Sequence, residues 1–114
     1  MSRLDDHLLL DLWERGAHRA PIDRALLLLA VAAPEIEPQR LADVTIAERD
    51  RRVLGLRHAW FGYRLSGTAD CPTCRQTLEF HLDSAALEPP EVAADLCFEN
   101  SAGLRFRLPN SRDL

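Results

Sequence analysis

The sequence predicts an α+β protein, with an N-terminal three-helix bundle over residues 1–62 and small antiparallel β-hairpins over residues 63–114. Two observations predict this order. Apolar residues recur at helical spacing up to Gly62, and beyond it apolar and polar residues alternate with a period of two. A chain of 114 residues is long enough for one domain with a hydrophobic core, so we expect both regions to form one compact domain.

The first helix is expected to begin near Ser2 and to end at Gly16. Ser2 is a favourable N-cap, and Asp5 follows it three residues later, as in a capping box. Glycine is a common C-terminal stop for a helix. The apolar face of this helix is formed by Leu4, Leu8, Leu9, Leu12 and Trp13.

The second helix is expected to begin at Pro21, because proline suits the first helical position, and to end before Pro34. Its apolar residues cover most of its circumference, which is typical of a helix buried among others. We therefore expect a core around Leu26–Leu29, with Trp13 and Trp60 packed on it.

The third helix is expected to follow a short helical turn at residues 40–44. Thr45 and Glu48 have the spacing of a capping box at its start, and Gly62 is a suitable stop. Its apolar side includes Val53, Leu56 and Trp60. The opposite side is charged and carries Glu48, Arg49, Asp50, Arg51 and Arg52.

Two β-hairpins are expected after Gly62. In the first, the segment C-P-T-C at 71–74 forms the tip, and Leu78, Phe80 and Leu82 then face one side. The second hairpin consists of strands at 96–99 and 104–108 with a turn at 100–103. Leu104, Phe106 and Leu108 alternate with arginines there, which predicts a half-buried strand, and Ser111 followed by Asp113 predicts the start of another helix.

Composition excludes several classes of function. The net charge is −4 and the pI is about 5.5, which argues against a nucleic-acid partner, although all 14 basic residues are arginine. No apolar run is long enough to span a membrane. Three cysteines, an odd number, indicate a reducing compartment, so a cytoplasmic protein is expected. The motifs of hydrolases, metalloproteases and nucleotide-binding loops do not occur, and the chain is expected not to be an enzyme.

The C-P-T-C segment permits three interpretations. A zinc site needs about four ligands, and Cys71 and Cys74 supply two. A redox disulfide is disfavoured, because redox C-x-x-C motifs precede a helix, whereas here the residues on both sides of the motif alternate as in β-strands. The simplest interpretation is a tight turn with two reduced thiols and a near-normal pKa for Cys71. For zinc, which would be the cofactor, the expected ligand set is Cys71, Cys74, Cys97 and His81, with His58 as a further candidate.

Two of these candidates have simpler explanations. Cys97 lies between Leu96 and Phe98, and such a cysteine is most often a small buried apolar residue. The alternation of the first hairpin directs His81 away from the side that carries Phe80. The metal interpretation and the turn interpretation therefore both stay open.

Three stretches together resemble a known family. LWERGAHRAPIDRALLLLA (12–30), FGYRLSGTADCPTCRQTLEFHLD (61–83) and GLRFRLPNSRDL (103–114) are similar to the N-terminal part of the T-even-type phage baseplate hub and hub-assembly proteins. That family occurs in phages and in phage-derived contractile injection systems. The resemblance spans nearly the whole chain.

The chain departs from the family pattern in two places. Arg75 stands where the family knuckle has glycine after the second cysteine. Family members also continue beyond the stretch that matches 108–114 into helices and a second C-P-x-C knuckle. Without that second knuckle, Cys71 and Cys74 have no obvious partners in a zinc-ribbon-like site.

The resemblance implies a non-enzymatic assembly factor, an assembly chaperone or a structural adaptor of a phage-like baseplate. Its partners would be other baseplate or hub proteins, bound through protein–protein contacts. The alternative is a small zinc-ribbon-like binding module in an unrelated cytosolic complex.

Overall fold

A computed structural model describes residues 5–93 and 95–114 and confirms the α+β class. Among the described residues are three α-helices, α1 (Asp6–Gly16), α2 (Pro21–Ala32) and α3 (Ile46–Phe61). Four strands form two separate sheets, with β1 (Arg64–Asp70) and β2 (Thr77–Asp83) in one and β3 (Cys97–Glu99) and β4 (Arg105–Arg107) in the other. Three 3-10 turns cover Pro38–Asp43, Ser84–Leu87 and Ser111–Asp113.

Helix α1 is capped by Asp5. The Asp5 side chain accepts a hydrogen bond from the backbone N–H of Leu8 at 2.7 Å, which satisfies a free donor of the first turn. The helix ends at Gly16, as the sequence predicts. The expected cap at Ser2 and the apolar position Leu4 lie outside the described residues.

Helix α2 contacts both α1 and α3, in agreement with its apolar circumference. The buried cluster lies around its C-terminal half, where Leu29 and Ala33 are fully buried and pack with Leu41 of the Pro38–Asp43 turn. Leu26 is only partly buried at the edge of this cluster. The expectation that Trp13 packs closely on this core is wrong, because its side chain is 73% exposed.

Helix α3 begins at the predicted cap. Thr45 Oγ1 accepts a hydrogen bond from the N–H of Glu48, whereas the Glu48 carboxylate binds Arg51 and Arg52 instead of completing the capping box. The helix ends at Gly62, whose φ of 78° lies in the left-handed region that favours glycine.

One residue of the predicted charged side of α3 is buried. The Arg49 guanidinium donates a hydrogen bond to Ser111 Oγ at 3.0 Å and pairs with the Asp50 carboxylate at 2.9 Å. The charged side is therefore not a fully solvated face, because the C-terminal turn covers part of it.

Each hairpin is a two-stranded antiparallel sheet. In the first, seven residue pairs run from Arg64–Asp83 to Asp70–Thr77, and the cysteine segment forms the tip as predicted. The apolar side chains of both hairpins are more exposed than the alternation of the sequence predicts. Exposed are Leu78 and Phe80 in the first hairpin and Leu104 and Phe106 in the second. Two-stranded sheets leave these side chains open to solvent, and the rings of Phe98 and Phe106 stack on each other at 5.5 Å.

The C-terminal segment returns to the helices. The N–H of Ile46 donates to the carbonyl of Pro109 at 3.0 Å, and Thr45 forms a β-bridge with Asn110. The predicted helix start at Ser111 is a single 3-10 turn, in which Asn110 and Asp113 form a capping box. Arg112 pairs with Asp43 of the Pro38–Asp43 turn. These bonds join the end of the second hairpin region to the start of α3.

The molecule has an extended shape. Its Cα radius of gyration is 17.3 Å. A compact chain of this length would have a value of about 13 Å. None of the described helices is long and apolar enough to cross a membrane.

The C-terminal segment should lose stability in acid. Hydrogen bonds from Arg107 and from the backbone N–H of Asn110 lower the pKa of Asp113 from 3.8 to about 2. Because the folded pKa lies below the unfolded one, this stabilisation is present above pH 3.8 and is lost as the pH falls toward 2. As the pH falls over that range, the urea midpoint of Asp113→Asn should therefore decrease less than that of the unmodified protein. Asp95→Asn, at an exposed position, is the control. An equal effect of the two variants would contradict this prediction.

Candidate functional site

An apolar groove lies between α1 and α3, with α2 as its floor. Its volume is about 390 Å³. The helices place their apolar faces around it because both pack on the same central helix. The groove is lined by Leu9, Leu12, Trp13, Leu28, Val53, Leu56, Arg57, Trp60 and Phe61.

The upper walls of the groove are exposed. Trp13 is 73% exposed, Phe61 59% and Leu9 42%, although all three side chains are large and apolar. Leu12 by contrast is buried and attaches α1 to the bundle. Contiguous exposed apolar surface of this kind often marks a site of protein–protein contact.

Arg57 is the one charged residue among the described side chains that line the groove. On the α3 side, the guanidinium of Arg57 donates to the carbonyls of Gly62 and Arg64, at 3.2 and 3.4 Å. This cation is thereby held at the C-terminal end of α3, where the helix dipole favours it. Asp6, Asp11 and Glu14 are exposed carboxylates of α1, but none of the three lines the groove, and Asp11 pairs with Arg15.

Ser84 attaches the first hairpin to α3. Its side chain is almost fully buried, and its hydroxyl donates to the Tyr63 carbonyl at 2.7 Å. His58 Nε2 lies 2.9 Å from the same oxygen, and because the hydroxyl proton is already used, this nitrogen must donate. The His58 ring also packs on Tyr63, with centroids 4.2 Å apart. His58, a candidate ligand in the sequence, therefore serves to fix the base of the hairpin.

The cysteine segment forms a closed turn at the hairpin tip. The N–H of Arg75 donates to the carbonyl of Cys71 at 2.8 Å, and the N–H of Cys71 donates to the carbonyl of Gln76 at 2.9 Å. Arg75 has a φ of 59°, a conformation that glycine adopts more easily than arginine. The backbone at Arg75 is therefore left-handed, although the residue is not glycine.

The environment of Cys71 differs from the expected one. Backbone N–H groups of Cys74 and Thr73 point at its sulfur and lower the pKa of the Cys71 thiol, and the Cys74 side chain adds to the effect. The expectation of a near-normal pKa is wrong, since a turn that aims its own N–H groups at a sulfur acts as a helix N-terminus does.

The other predicted ligands lie elsewhere. His81 pairs with Ser66, four residue pairs from the end of the ladder, and its Nδ1 lies 2.8 Å from Ser66 Oγ. Four pairs correspond to about 14 Å along a strand, which is beyond the reach of a shared metal ion. Cys97 lies in β3 opposite Arg107 and is exposed, so the expectation of its burial is wrong.

Within residues 5–93 and 95–114, no group of three or more histidine, cysteine, aspartate or glutamate side chains is arranged to hold a metal ion. The structure therefore brings Cys71 and Cys74 together at one turn, and it does not bring His81 to them.

Sequence reasoning missed two features of the groove. Arg57 was not recognised as a rim residue, because its bonds to Gly62 and Arg64 depend on how the chain turns after α3. Phe61 next to Trp60 was an available signal, since two adjacent aromatic residues cannot both face the core of one helix.

No protein-family model, curated protein or solved structure matches this chain. The resemblance to baseplate proteins stays a prediction.

Proposed function

We propose that this protein is a non-enzymatic assembly factor or structural adaptor of a phage-like baseplate in a contractile injection system, and that it acts in the cytoplasm by binding another baseplate or hub protein. The observation that carries this proposal is the open apolar groove between α1 and α3. The sequence resemblance supplies the class of partner.

The groove suits an amphipathic helix of the partner. Its α1 wall is 11 residues long. A helix of that length measures about 16 Å, enough for three turns of a partner helix to insert their apolar side chains.

Binding to purified baseplate proteins encoded in the same gene cluster tests the proposal. We expect one of them to bind. We expect Trp13→Ser to raise the Kd of that complex about tenfold or more, because tryptophans often dominate interface energies. Leu87→Ser is the matched control, since Leu87 is 56% exposed but lies outside the groove.

Two results would contradict the proposal. The first is a gene cluster without sheath, tube and spike genes, together with no binding to any baseplate protein. The second is a partner whose affinity decreases with Leu87→Ser and not with Trp13→Ser, which would place the contact surface elsewhere.

A further inference from the structure

The tip of the first hairpin holds two thiols in a fixed geometry. The turn is closed by the bonds between Arg75 and Cys71 and between Cys71 and Gln76. Directly below it, Thr77 Oγ1 donates to the Asp70 carboxylate at 2.7 Å and fastens the last residue pair of the ladder. Cys71 and Cys74 therefore lie on one short turn with little freedom to separate.

The turn places backbone donors next to one of its two sulfurs. The N–H groups of Thr73 and Cys74 face the Cys71 sulfur from within the same turn. Thiolates are the form in which cysteine binds zinc, and N–H donors around the sulfur commonly support such ligands. One turn thus offers two preorganised sulfur ligands.

The tip supplies half of a tetrahedron and leaves the other half open. Tetrahedral zinc takes about four ligands, and a single C-x-x-C supplies two of them. Pro72, Thr73 and Cys74 are exposed, so the outer side of the turn is accessible to another molecule. A second copy of the same tip, related by a two-fold axis, presents two further thiols in matching geometry.

The charges of the tip do not oppose pairing of two copies. Zinc with four thiolates carries a net charge of −2, and the Arg75 guanidinium group and the Asp70 carboxylate of each copy add no further net charge. Within residues 70–77 of each copy, Asp70 is the one carboxylate and Arg75 the one cation. The tips themselves therefore do not repel each other.

The length of the hairpin keeps the acidic bodies apart. Its strands have seven residues each, and its base is bonded to α3 through Ser84. Strands of this length measure about 23 Å, so two hairpins joined at their tips separate the helical bundles by well over a Debye length of about 8 Å. The net charge of −4 on each chain then opposes association only weakly.

We propose that this chain binds Zn²⁺ between two copies, with Cys71 and Cys74 of each copy as the four ligands. Cys97 and His81 take no part. The four thiols release their protons as the metal binds, and no oxidant or reductant is needed. This site is independent of the groove and of the function proposed for it.

Zinc titration of the metal-free 114-residue chain, followed by a competing colorimetric chelator and by sedimentation velocity, tests the proposal. We expect one zinc ion per two chains and a monomer that becomes a dimer on adding zinc. Cys71→Ser and Cys74→Ser should abolish both, while Cys97→Ser and His81→Ala should leave both unchanged. Far-UV circular dichroism of each variant shows whether it is folded.

Cobalt gives an independent readout. Co²⁺ in place of zinc should show the absorption of four thiolate ligands. One zinc ion per chain in a monomer, loss of zinc with Cys97→Ser or His81→Ala, or no zinc uptake by the folded wild-type chain would each overturn the proposal. The stoichiometry of the wild-type protein decides the matter even if a cysteine variant does not fold.

Discussion

Replacing Leu29 with alanine is expected to destabilise the protein by about 2–5 kcal/mol, the usual range for a leucine deleted from a packed core. Leu29 is fully buried and packs with Ala33 and Leu41, which are themselves buried. The cavity left by the substitution would lie where α2 meets the Pro38–Asp43 turn. Urea denaturation followed by circular dichroism measures the change.

Leu28→Ala is the matched control for this prediction. The two leucines are adjacent on α2, but Leu28 is only partly buried and forms part of the groove floor. Leu28→Ala should lower the free energy of unfolding clearly less than Leu29→Ala, since a partly buried side chain loses fewer contacts. Equal costs for the two variants would show that the core extends into the groove.

Replacing Ser84 with alanine is expected to destabilise the protein by about 1–3 kcal/mol, because it removes a buried hydroxyl that bonds both His58 and Tyr63. The Ser84 hydroxyl accepts from His58 Nε2 and donates to the Tyr63 carbonyl. After the substitution, the Tyr63 carbonyl still accepts from the N–H of Ser84, but the half-buried imidazole loses its acceptor. The first hairpin would then be held less firmly on α3.

A second serine–histidine pair provides the control. Ser66 lies 2.8 Å from His81 through its hydroxyl, but both residues are exposed, so water can replace the lost bond. Ser66→Ala should change the free energy of unfolding by no more than about 0.5 kcal/mol. A larger loss at Ser66 than at Ser84 would contradict the role given to the buried pair.

Local signals in the sequence were sufficient to predict the helices. Pro21 and Gly62 bound their helices as expected, and Thr45 caps α3, because proline, glycine and threonine act on the backbone next to them. The first hairpin and its cysteine tip also follow from the local alternation. These features need no information about distant parts of the chain.

The exposure of apolar residues could not be predicted in the same way. The helical spacing of Trp13 and the alternation around Phe80 show which face is apolar, but they do not show what covers it. Phe80 lies over Gly67 of the neighbouring strand and is still 40% exposed. Whether such a face is covered depends on packing between elements, which a pattern of period two or 3.6 does not contain.

Hydrogen bonds between residues far apart in the sequence could not be predicted either. Arg49 appears among four charged neighbours, yet its side chain is buried by bonding Ser111, 62 residues later. The orientation of the N–H groups toward Cys71 was missed for a related reason. The turn around Cys71 includes a left-handed backbone at Arg75, and the presence of arginine there conceals a conformation that glycine would have indicated.

The hydrogen bond between Ile46 and Pro109 has a consequence for how the chain folds during its synthesis on the ribosome. The start of α3 is completed by a carbonyl that is synthesised long after the helix itself, with both hairpins in between. Helical turns form from neighbouring residues within about a microsecond, whereas this closure must bring together distant segments. The nascent bundle therefore emerges with the first turn of α3 unfinished, and the segment around Pro109 completes it once that segment has left the exit tunnel.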